Sequence, residues 1–270
     1  MSFFAAAIWS VSAIAVFDLF LALAVSVSPS AELDLVSRVL CEAAAYVSTL
    51  LLLTLVHERD RRLTDVLALR RTPVALLLVA ALFGFALQGP VNLVAGVIYH
   101  RYPLPEGQIE LIRQIFDVRA LHQKVAIVLA AGVVGPLVEE LLFRGGIFRG
   151  LRRRHGPLRT VIAIALFFAL AHREPRNFLP DFMGGLAMGY VRLTSGSLWP
   201  GILLHAAFNT TSVIFALVAG PEADVLTRVE NIAATVASVA LLAAFGWIAG
   251  RHERCAAARV ADEAREAHLG

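Results

Sequence analysis

The chain has 270 residues, of which 58% are hydrophobic and only 17% charged, with a mean hydropathy of +0.72. Soluble domains carry about 25% charged residues, so the composition excludes an ordinary soluble enzyme and indicates a polytopic membrane protein. The net charge of +3 sits in loops and argues against nucleic-acid binding, and two cysteines, Cys41 and Cys255, cannot build a disulfide framework.

A membrane helix needs about 20 mainly apolar residues. Segments 3–27, 36–56, 73–99, 123–148, 158–173, 178–194, 198–219 and 226–250 meet or approach that requirement. The expected fold class is therefore all-α, a bundle of about eight transmembrane helices forming a single integral membrane domain over 1–270. The fifth and sixth segments are short. The first lacks the basic flank of a secretory signal and reads as a retained span. Pro73, Pro157 and Pro221 fall at span edges, whereas Gln88-Gly89-Pro90 predicts a kink inside the third span. Gly185 and Gly189 have the spacing that lets membrane helices approach closely. After Gly250 the charged tail, 251–270, is expected to be a solvated helix.

Arginines are distributed unequally. If eight spans alternate, 15 basic residues fall on one side and 8 on the other, leaving Arg144 inside. The positive-inside rule then places both termini and the tail in the cytoplasm of a cell-membrane protein. Membrane lipid is the expected environment.

The fourth span ends in Glu139-Glu140-Leu141-Leu142-Phe143-Arg144. Charges at such depth cost several kcal/mol unless paired or hydrated, and they mark function by default. Glu140 and Arg144, at i and i+4 with the acid first, predict an ion pair on one helix face. Glu139 points elsewhere and requires a proton or a partner from another helix. Candidate partners follow in Phe168-x-x-x-His172 and in His205-x-x-x-Asn209. Counting 1.5 Å per residue from the expected cytoplasmic ends places Glu139 about 16, His172 about 20, His205 about 9 and Asn209 about 15 Å deep. Within a core about 30 Å thick, these depths predict one site, approached most easily from the cytoplasm.

Glu-Glu-x-x-x-Arg, Phe-x-x-x-His and His-x-x-x-Asn, in this order on successive membrane helices, resemble the CPBP family of intramembrane proteases. That family is related to the CAAX prenyl endopeptidase Rce and is also called Abi. The resemblance covers residues 134–212, including Phe182-Met183-Gly184-Gly185 and Thr194 to Pro200, with Ala163-Ile164-Ala165 where members often carry serines. It implies a glutamate-dependent endopeptidase acting on a membrane-associated peptide or protein, with no cofactor and no metal. By that analogy Glu139 and His172 activate a water, His205 and Asn209 hold the oxyanion, and Glu140 and Arg144 support them.

Three alternatives stand beside this reading. Glu139, His172 and His205 could ligate Zn, although no His-Glu-x-x-His occurs. The same fold could serve as a non-catalytic immunity or binding protein. A proton-coupled transporter would also place Glu and His in a membrane, but the repeats and paired broken helices of such proteins are missing from the sequence.

Overall fold

A computed structural model describes the backbone of residues 1–220 and 228–269, with side chains as far as Arg254 apart from positions 228, 229 and 253. Pro221 and the Cys255 side chain, both singled out in the sequence, lie outside the described residues. The architecture is all-α. The helices are α1 (Phe3–Val27), α2 (Leu35–His57), α3 (Val74–Arg101), α4 (Glu106–Phe116), α5 (Leu121–Arg152), α6 (Pro157–Ala171), α7 (Phe178–Ser195), α8 (Trp199–Ala219) and α9 (Arg228–Leu269).

Among the described residues, each of the eight expected segments is helical over most of its length. Six are long and apolar enough to cross a membrane: α1, α2, α3, α5, α8 and the Glu230–His252 part of α9. The two that fall short, α6 and α7, are the two shortest segments in the sequence, and they pack on each other. Large apolar side chains such as Phe4, Leu19, Leu55, Val74 and Val218 point outward, as a lipid-facing surface requires. The chain is a multi-pass membrane protein. Helix α4 was not expected from hydropathy. It is polar on one face and apolar on the other through Ile109, Ile112 and Phe116, and none of its residues is buried. Such a helix suits the plane of a membrane surface.

Proline and glycine shape the helices that carry the site. α3 breaks at Leu87 into Val74–Ala86 and Gln88–Arg101, as Pro90 requires by removing one ladder donor. At the break, buried Gln88 donates to the Phe208 carbonyl and to Ser212 Oγ, both 2.8 Å away on α8. Gly185 and Gly189 bring α7 against α6 as expected. A Cβ on Gly185 would lie 2.8 Å from Ala165 Cα, and one on Gly189 2.9 Å from Val161 Cγ1.

In α5, π-helical turns at Ala130–Val134 and Leu141–Ile147 flank a short α segment ending at Glu140. Pro136 offers no N–H. The carbonyl that would accept from it is Gly132 in an α turn and Ala131 in a π turn. Both carbonyls find donors on α8: Asn209 Nδ2 donates to Ala131 O at 3.4 Å and Thr210 Oγ1 to Gly132 O at 3.1 Å. Re-satisfaction by a neighbouring helix is what an apolar surround demands.

Candidate active site

The glutamates of α5 face two directions, as helical geometry dictates. Glu140 and Arg144 form the expected pair, Nη1 to Oε1 at 2.8 Å, with neither side chain exposed. A second Arg144 nitrogen donates to the Gly185 carbonyl at 3.3 Å, and the guanidinium lies 4.4 Å from the centre of the Phe168 ring. The Arg144 carbonyl accepts from Arg192 Nε at 3.1 Å. This charge is thus held by an acid, a carbonyl and an aromatic face, which offsets its burial. The pair ties α5 to α6 and α7.

Glu139 points about 100° away from Glu140 and meets both histidines. His172 Nε2 lies 3.9 Å from its Oε1, and His205 Nε2 lies 3.4 Å from its Oε2. His172 ends α6, where its Nδ1 is 3.0 Å from the Phe168 carbonyl. A carbonyl has no proton to give, so Nδ1 carries the hydrogen and Nε2 is the nitrogen turned to Glu139. Phe168 also packs edge-on against both imidazoles, at 4.7 and 5.6 Å. The Phe-x-x-x-His motif therefore places an aromatic floor under the cluster.

His205 stands between the two glutamates. Its Nδ1 is 3.2 Å from Glu140 Oε1, while Nε2 faces Glu139. Asn209, one turn further along α8, lines a cavity of about 240 Å³ together with His172 and His205. Glu139 lies within 4 Å of both His172 and His205. Asn209 joins them through the cavity, and its side-chain amide donates to the Ala131 carbonyl.

Two acids with no assigned part in the sequence belong to the same cluster. Glu42, on α2, lines a cavity together with Glu139 and His172. Two carboxyl groups facing one buried cavity repel unless one of them holds a proton. Asp181, on α7, places Oδ2 3.9 Å from His172 Nδ1. Both had been visible as acids within or near spans, which is the signal that could have recruited them. Asn92 of α3 adds to the cavity that holds Asn209 a buried Nδ2 without a hydrogen-bond partner among the described residues. Among the described residues, no three His, Cys, Asp or Glu side chains are grouped so as to hold one metal ion.

Access differs from the expectation. A second cavity, of about 200 Å³, reaches His172 and Glu139 from the other side and is lined by Leu35, Arg38 and Glu42. Both cavities lie toward the arginine-poor end of the bundle. Toward the arginine-rich end, fully buried Arg144, Ile147, Leu151 and Leu198 close the way. Spacing along each helix is legible in the sequence; which end stays open depends on how the helices close around the cluster.

These features define a class: a multi-pass membrane protein with a buried carboxyl–imidazole cluster opening into cavities. Residues 121–211, about a third of the chain, match the family described as type II CAAX prenyl endopeptidase, Rce1-like. The match covers α5 through most of α8, so every residue of the three motifs lies inside it, and the resemblance read from those motifs is shown there. The chain is also similar to an Escherichia coli protein described as "Uncharacterized 24.3 kDa protein", 30% identical over 111 residues, covering 38% of this chain and 49% of that one. A Bacillus subtilis (strain 168) protein described as "Putative membrane peptidase YdiL" is 24% identical over 90 residues, covering 33% of this chain and 37% of the other. The chain thus spans about half or less of the curated relatives it matches. No solved structure matches it significantly.

Proposed function

We propose that this protein is an intramembrane endopeptidase that hydrolyses a peptide bond in a membrane-associated substrate through Glu139. The observation that carries the reading is the separation of Glu139 Oε1 and His172 Nε2, 3.9 Å. That is too long for a direct hydrogen bond and short enough for one water to touch both atoms at about 2.8 Å. A water so held can lose its proton to the Glu139–His172 pair as it attacks the scissile carbonyl, and the pair returns that proton to the amide nitrogen as the C–N bond breaks. Glu139 and His172 are the residues that activate it.

His205 and Asn209, which line the cavity beside the pair, hold the carbonyl oxygen as it gains charge. His205 rests between the glutamates with Nδ1 held by Glu140, and the hydrogen bond from its Nε2 passes from Glu139 to the substrate oxygen as charge develops, so it acts as an imidazolium that donates from both nitrogens. Asn209 spends one amide hydrogen on Ala131 and retains a second for substrate. Glu42 supplies the carboxyl that shares a proton with Glu139 between steps. Glu140 and Arg144 support the site without reacting. The family similarity over residues 121–211 supports hydrolysis over mere binding, and the three-helix convergence supports these roles.

The test compares membrane-peptide profiles of cells carrying wild type and Glu139→Gln, with and without a chelator. New peptide termini present only with wild type, and insensitive to chelation, support the reading. Chelator-sensitive termini would transfer the chemistry to a metal held by Glu139, His172 and His205. Full biological activity of Glu139→Gln would leave a binding role.

A further inference from the structure

The two ends of the bundle are unlike. At one end the Met1 amino group donates to the Gly150 carbonyl at 2.8 Å, Ser197 Oγ donates to the Arg70 carbonyl at 3.0 Å, and Leu198 N donates to the Ala68 carbonyl at 3.1 Å. These contacts gather the arginine-rich segments 58–72 and 149–154 on one face. At the opposite end, Tyr99 donates to Asn177 Oδ1 at 2.6 Å and Arg176 to the Tyr102 carbonyl at 2.9 Å.

The connection between α6 and α7 is sunk at this second end. α6 stops at Ala171, and Arg173 pairs with Asp18 at 2.9 Å. Asp18 lies nine residues, or about 13 Å of helix, before α1 ends at Val27. His172 therefore heads a depression walled by the longer α1 and by the start of α2. Both cavities open from it: Leu35 and Arg38 border one, and Asn177 and Ala95 border the other. No residue from the arginine-rich loops lines either cavity.

Basic loops remain on the cytoplasmic face of a membrane. From this charge asymmetry and the location of the depression, we infer that the site opens on the extracytoplasmic face. Its substrates are then peptides already exported, or the outer juxtamembrane segments of anchored proteins, rather than cytoplasmic chains. The hydrolytic part of this inference rests on the endopeptidase reading; the side of the opening rests on charge and geometry alone.

The experiment uses full-length protein with Cys41→Ser and Cys255→Ser, carrying a single new cysteine. Arg38→Cys and Asn177→Cys report on the two cavity rims, and Arg62→Cys reports on the arginine-rich end. Intact cells are treated with a membrane-impermeant maleimide. The rim cysteines are expected to label in intact cells and Arg62→Cys only after permeabilisation. The reverse pattern, or rim cysteines that label only after permeabilisation or not at all, overturns the inference. Peptide termini that depend on Glu139 are expected to map to extracytoplasmic segments, and mapping to cytoplasmic segments also overturns it. Outward labelling without any Glu139-dependent termini would sink the endopeptidase reading and leave the orientation standing.

Discussion

Glu140 and Arg144 are joined at 2.8 Å in a place where neither side chain meets solvent or lipid. One turn of helix supplies both partners, yet their surroundings come from α6, α7 and α8. Removing one partner strands the other, which costs about 3–5 kcal/mol. Arg144→Ala and Glu140→Ala should each lower thermal stability in detergent by that order. Arg144→Lys should recover only part of it, because a lysine cannot reach Glu140 and the Gly185 carbonyl together. Equal stability of Arg144→Ala and wild type would show that the pair is not held as described.

Glu42 tests whether the site needs a second acid or only a hydrogen bond. Glu42→Gln keeps a donor toward Glu139 but removes the exchangeable proton. Cleavage by this variant should fall about a hundredfold, the scale of a lost proton-transfer group, while stability changes little. A shifted pH–rate profile in the residual activity would separate this role from packing. Unchanged activity and profile would remove Glu42 from the mechanism.

Pro136 and Thr210 should couple. Thr210→Val removes the donor to Gly132 O and should cost about 1 kcal/mol in wild type. Pro136→Ala restores an N–H that competes for the same carbonyl, so Thr210→Val should cost less in that background. A double-mutant cycle on thermal unfolding measures the difference. Additive effects would mean that the helix distortion has another cause.

Gly185 has no room for a side chain. Gly185→Val would drive a Cβ toward the α6 backbone at Ala165 and displace the carbonyl that Arg144 binds. A loss of at least about 1–3 kcal/mol is expected, together with lost activity. Gly184→Ala is the control: a Cβ there meets only Met188 Cε at 3.6 Å. Its stability should stay within about 0.5 kcal/mol of wild type.

The sequence by itself determined the helical segments, the break before Pro90, the Glu140–Arg144 pair and the grouping of Glu139 with His172 and His205. Each follows from a local rule. Apolar length specifies a membrane helix, proline removes a donor, and i,i+4 spacing decides which side chains share a face. Helix α4 escaped because an amphipathic interfacial helix is too polar for a hydropathy criterion.

Only the tertiary structure decided what crosses between helices. Glu42 and Asp181 enter the cluster because α2 and α7 turn those faces inward. His205 touches both glutamates because α8 crosses α5 where Gly201 leaves space for Glu140; a Cβ at Gly201 would lie 3.0 Å from Glu140 Oε2. Asn209 divides its amide between the cavity and the backbone because Pro136 lies opposite. The open end of the site was also a tertiary result. In lipid no hydrophobic force selects one apolar helix face over another. Close packing at small residues and the need to satisfy buried polar groups make that choice, and neither can be read along a single helix.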